Sequence, residues 1–217
     1  MLFYSNYAQQ LGSLIIALLG FILISKRSKP VQVLAVYGLN SVFFQVIINF
    51  NIKGVHPNLM GNLYVLMEAL ILLSFFYTLF SNALAKKIGL VFGVIYVISF
   101  CLFMPGHWTQ FSSPIRTMRD LMIVVCALLY FYFLIVEMPT NEITRYPMFW
   151  IMAAFLFYFA GTFVLSLSLD FLVNVLKDDL VFVWTSRNFF RFFFCLVVSY
   201  GLWMDLRLVK AKTLLNK

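Results

Sequence analysis

The sequence predicts an all-α polytopic membrane protein, a bundle of seven transmembrane helices forming one domain over residues 1–217. Three observations predict it. The chain is 63% hydrophobic and only 11% charged, with a mean hydropathy of +0.95, whereas a soluble globule is about a quarter charged. Its apolar residues gather in stretches of about 20, the length an α-helix needs to cross about 30 Å of hydrocarbon. Its charges gather between those stretches, so the net charge of +8 reads as loops facing an anionic membrane surface, not as a nucleic-acid footprint. The expected location is the cell (plasma or inner) membrane, with the lipid bilayer as first partner.

The first helix, 7–25, follows a stretch without charged side chains and ends at Lys26-Arg27-Ser28-Lys29-Pro30. Charge after the apolar run, not before it, is the reverse of a secretory signal, so the segment is expected to stay as a membrane helix. The second, 31–50, is closed by a turn holding Gly54 and Pro57, and the third, 59–80, stops at the polar run 81–87. The fourth, 88–103, is the shortest and ends at Pro105-Gly106. The fifth covers 115–136, and a polar connection with two prolines leads to the sixth, 148–173, long enough to tilt. The seventh, 180–206, precedes a short basic tail. Helices one to three and five to seven share one arrangement of spans and turns, which suggests a three-one-three plan with the fourth as connector.

Positive charge sets the expected orientation. With the N-terminus outside, the inner loops and tail hold ten Lys and Arg residues, against four (Lys53, Arg116, Arg119 and Lys177) outside. The N-terminus is therefore expected outside and the C-terminus in the cytoplasm.

The seventh span carries Arg187 and Arg191 in its interior. Each costs roughly 2.5 to 3.5 kcal/mol at a helix centre, so both need partners or a wet cavity. Steps of three and four residues place Trp184, Arg187, Asn188, Arg191, Cys195 and Ser199 on one face. The third helix offers Tyr64 and Glu68 one turn apart. The second offers Ser41, Gln45 and Asn49 with Asn40 beside them, the sixth Tyr158, Thr162, Ser166 and Asp170, and Arg119-Asp120 opens the fifth. Glu68 and Arg187 both lie about two turns into their spans, so Glu68 is expected to pair with Arg187 or Arg191. Polar groups then converge on the outer half, as a pocket above a dry floor. One glutamate cannot neutralise two arginines unless Asp120 or Asp170 reaches in. An excess of arginine suits a carboxylate, phosphate or sulfate, which the guanidinium fork holds by two hydrogen bonds.

The function expected from these residues is that of a receptor- or sensor-like protein binding a small anionic or zwitterionic ligand, or a lipid headgroup, in an outward-facing pocket. Arg187 and Arg191 would hold the anionic group and Glu68 would orient Arg187. Asn40, Gln45, Tyr64 and Asn188 would add polar contacts, with Trp184 as a wall. With so short a tail, a receptor would signal through a membrane or cytoplasmic partner. The alternatives are a small proton-coupled transporter using Glu68, a structural subunit of a membrane complex, or a purely structural ion pair.

No catalytic motif is present, so a non-enzymatic role is expected. Cys101, Cys126 and Cys195 lie in apolar stretches and form neither a disulfide framework nor a metal pattern, and no metal or cofactor is expected. The span 180–206 has no lysine for a Schiff base, and no intramembrane His-x-x-x-His or serine–histidine arrangement occurs. The outline is similar to that of seven-helix receptors and sensor modules by topology alone, which carries no function.

Overall fold

The structure is a computed structural model that describes residues 2–49, 56–110, 112–137, 143–175 and 180–215; the side chains of 2–9, 49, 169–175, 180–182, 184 and 215 lie outside the described set. The described residues form seven α-helices and no strand: α1 (Leu2–Phe21), α2 (Lys29–Asn49), α3 (Pro57–Leu79), α4 (Ala83–Phe103), α5 (Ser113–Glu137), α6 (Pro147–Val175) and α7 (Leu180–Leu215). Six of them, α2 to α7, are long and apolar enough to cross a membrane; the apolar part described in α1, Gln10–Phe21, is shorter. This is the build of a multi-pass membrane protein.

The helix ends differ from the sequence expectation for local reasons. α1 stops at Phe21 because Leu23 adopts a left-handed φ of 57° before a 3-10 turn at Ile24–Lys26. α2 begins at Lys29, with Pro30 in its first turn, where a missing N–H costs no helical bond. α4 is not short: Asn82 caps it by accepting from the Leu84 N–H at 2.8 Å, so Lys86 and Lys87 are helical. α7 runs for 36 residues, about 54 Å at 1.5 Å per residue, and takes Lys210 and Lys212 into the helix.

Each helix packs on the next and α7 returns to α1, which closes a ring; α3 also touches α5 directly, leaving α4 on the outside. The end where α1 begins is called the N-terminal face and the other the C-terminal face. Burial follows the helical period, with the apolar surface outward. α1 buries Ser13, Ile16 and Ala17 and exposes Leu11, Leu14, Ile15 and Leu18; α4 exposes Val91, Val94, Ile98 and Leu102. In water so large an apolar surface would drive association, while in lipid it is the ordinary outer surface. Small residues let α1 and α2 approach closely, since a Cβ on Gly38 would meet the Ala17 backbone nitrogen at 2.7 Å.

A buried aromatic layer fills the bundle centre. Phe155 stacks on Phe75 (5.5 Å, 14°) and Phe159 (5.8 Å, 15°), and Phe194 meets Phe155 edge-on at 5.1 Å. Leu34 and Leu72 are fully buried with it.

Candidate functional site

Two sets of polar contacts position the site. Asn58 and Asn62 of α3 hold the α4–α5 connection, donating to the carbonyls of Thr109 (2.9 Å), Trp108 (3.0 Å) and Gln110 (3.0 Å). His56 caps the same helix, its ring accepting from the Asn58 N–H at 3.3 Å. At the start of α5 the Ser113 hydroxyl donates to the Ser166 carbonyl of α6 at 2.6 Å. The first turns of α5 are thus fixed against α3 and α6, and α5 begins two residues before the sequence suggests. Arg119 is thereby six residues inside the helix, about 9 Å deep, with its long side chain to extend its reach.

Glu68 sits about three turns into α3, at mid-helix, and is 1% exposed. Its Oε2 accepts from Arg119 Nη1. Its Oε1 accepts from the hydroxyls of Tyr64 (2.7 Å) and Tyr37 (3.1 Å) and lies 3.7 Å from Arg191 Nη1. Arg191 in turn donates from Nη1 to the Tyr37 hydroxyl (2.6 Å) and from Nη2 to Ser41 Oγ (3.0 Å) and the Tyr64 hydroxyl (3.5 Å). Its charge also rests near the ring faces of Tyr37, Tyr158 and Phe194, at 5.3 to 5.6 Å. Arg119 completes the set, donating to Asp120 Oδ1 from Nε (2.9 Å) and Nη2 (2.6 Å).

Two carboxylates therefore meet two guanidiniums, and the four charges cancel. Hydroxyls from α2 and α3 relay Arg191 to Glu68, so that α2, α3, α5 and α7 share one network. Isolated ions in such a place would neutralise or be expelled; here each charged side chain has an opposite partner.

A second tier lies one turn closer to the N-terminal face. Arg116 precedes Arg119 by three residues on α5, and Arg187 precedes Arg191 by four on α7, so each cluster arginine has another arginine above it on the same helix face. Both outer side chains are half-buried. Gly61 makes room for Arg116, whose Nη2 would lie 3.3 Å from a Cβ at that position.

Among the expected site residues, Glu68, Tyr64 and Arg191 are brought together. Arg187 is not on Glu68: α5 supplies Arg119 there instead, because α3 and α5 touch directly. Asn40 and Gln45 stay apart from the cluster. Gln45 donates to Ser13 Oγ of α1 at 3.4 Å, and Asn40 Nδ2 has no hydrogen-bond partner among the described residues. Asn188 is half-buried on α7. The side chains of Trp184, Asn49 and Asp170 lie outside the described residues. Three participants escaped the sequence reading. Tyr37 continues the Ser41–Gln45 stripe one turn inward and is detectable by that spacing, whereas Arg116 and Arg119 fall in the first turns of the expected fifth span and read as charges of the outer side.

No family model, curated protein or solved structure matches this chain.

Proposed function

We propose that the protein is a non-enzymatic, receptor- or sensor-like membrane protein that takes a small anion, a carboxylate or phosphate, between Arg116 and Arg187 at the N-terminal face. One observation carries the reading: the four central charges already cancel, and α5 and α7 each carry a further half-buried arginine, Arg116 and Arg187, one turn closer to the N-terminal face. Like charges repel, and an anion set between two guanidinium forks relieves that repulsion while accepting paired hydrogen bonds. Arg191 and Glu68, assigned to the ligand by sequence alone, serve in this reading as the lock beneath it.

The finer membrane arrangement belongs to the same proposal: seven spans, with α1 as the first, the N-terminal face outside and the C-terminal face in the cytoplasm. Support comes from α1 packing against both α2 and α7. Withdrawing Arg119 into the bundle also lowers the outer count of positive charges from four to three, against ten. The expected cell membrane location follows from that orientation.

Thermal unfolding in neutral detergent tests the reading, with phosphate, sulfate and succinate as probes. A ligand that binds only the folded state raises Tm by mass action. At least one probe is expected to raise Tm of the wild type and to have no effect on Arg187→Gln, whose own Tm stays within about 3 °C of wild type, the shift of roughly 1 kcal/mol. An anion shift that survives in both Arg187→Gln and Arg116→Gln, or no shift with any anion, refutes it.

A further inference from the structure

At the opposite end of the molecule, the last turns of α7 and the α1–α2 connection enclose a groove of about 620 Å³. Its lining is Lys26 and Ser28 from the connection, and Asp205, Leu208, Val209, Lys212 and Thr213 from α7. Lys26, Ser28, Leu208 and Lys212 are exposed. Asp205 faces Arg27 at 3.6 Å, so its charge is already matched from behind and the two lysines dominate the opening. The groove thus presents two ammonium groups and two hydroxyl-bearing residues above an aliphatic wall.

Its height in the bundle is set by aromatic side chains. Trp150 and Tyr200 meet edge-on at 5.4 Å, Tyr200 lies 6.1 Å from Trp203, and Arg207 stacks on Trp203 at 4.2 Å. Tryptophan and tyrosine at helix ends mark the level of lipid headgroups. The groove begins at Asp205, within one turn of that belt, which is the level expected of a leaflet's phosphates if the belt marks the interface. Beyond it Leu208 and Leu214 remain exposed on α7, which suits a helix end partly sunk in the interface.

We propose that this groove holds the headgroup phosphate of an anionic phospholipid, with Lys26 and Lys212 on the phosphate, Ser28 near its ester oxygens, and the upper acyl carbons along Leu208 and Val209. A site of this kind ties the projecting end of α7 to the α1–α2 connection through the lipid. It uses none of the residues assigned to the anion at the N-terminal face.

Thermal unfolding of the detergent-purified protein with dioctanoyl phosphatidylglycerol, dioctanoyl phosphatidylcholine or sodium phosphate tests it. The glycerol lipid is expected to raise Tm by about 5 °C at saturating concentration, with no comparable effect from the choline lipid or phosphate alone. The shift should fall at least fivefold in the Lys26→Gln/Lys212→Gln double variant and persist in Lys210→Gln, a lysine outside the groove. It should also persist in Arg187→Gln, which separates this site from the N-terminal face. Equal stabilisation by the choline lipid, the full shift from phosphate alone, or a full shift in the double variant overturns the proposal. A shift lost in Arg187→Gln but kept in the double variant overturns it too, and moves the anion to the other face.

Discussion

Among the described residues, a central cluster of ion pairs and a single pair near the C-terminal face solve the same problem differently. In the bundle centre, Glu68 has both oxygens engaged by Arg119, Tyr37 and Tyr64, and Arg191 spreads its donors over three hydroxyls. Near the C-terminal face, Arg27 and Asp205 stand 3.6 Å apart, and Arg27 Nε, Arg27 Nη1 and Asp205 Oδ2 have no hydrogen-bond partner among the described residues. Arg27 does donate Nη2 to the Leu202 carbonyl at 3.3 Å, which holds it against α7. Burial lowers the pKa of Arg27 from the ordinary arginine value, with Asp205 opposing that fall. The difference is one of place. At mid-bundle a charge without bonds carries its full desolvation cost, and Glu68 and Arg191 are accordingly engaged by several donors and acceptors each, with Asp120 Oδ2 left without a hydrogen-bond partner among the described residues. At the membrane surface water and lipid phosphates can complete a loose pair, and completion within the protein is not required.

The comparison is broken most directly at Arg119. Arg119→Ala removes the guanidinium paired with buried Asp120 and leaves buried Glu68 with Arg191 alone, and is expected to destabilise the fold by about 3 to 5 kcal/mol. The check is denaturant-induced loss of helical circular dichroism in mixed micelles. A loss under about 1 kcal/mol would mean that water already reaches the cluster. Tyr37→Phe removes one hydroxyl between Arg191 and Glu68 without changing the aromatic packing against Phe155 and Phe194. Its expected cost is about 1 to 3 kcal/mol, because buried groups lose a partner. Asp205→Asn should cost less than about 1 kcal/mol, in keeping with a pair that makes no direct hydrogen bond and is partly solvated. If Asp205→Asn costs as much as Tyr37→Phe, the two pairs are equivalent and the contrast fails.

The sequence carried part of this site openly. Helical spacing put Tyr64 beside Glu68, aligned Arg187 with Arg191, and marked Tyr158 and Thr162 as facing inward, because a 3.6-residue period orders the side chains of each helix. It did not carry the rotation of one helix against another, and Glu68 therefore found Arg119 where Arg187 was expected. Depth was legible only as well as helix ends were. Asn82 moves the start of α4 and Ser113 that of α5, and with the latter Arg119 lies in the core instead of among the charges of the outer side. The overall all-helical build was legible from apolar run length. Which helices close the ring was not, since contact between α1 and α7 leaves no periodic trace in either.

The central claim is that Glu68 is committed to Arg119 while Arg187 stands apart from it. Double-mutant cycles in mixed micelles test it most directly, pairing Glu68→Gln with Arg119→Gln and, separately, with Arg187→Gln. The account predicts a coupling of about 2 kcal/mol or more for Glu68 with Arg119 and less than about 0.5 kcal/mol for Glu68 with Arg187. A larger coupling to Arg187 than to Arg119 would contradict it, and would return Arg187 to the lock and leave the N-terminal face without its anion site.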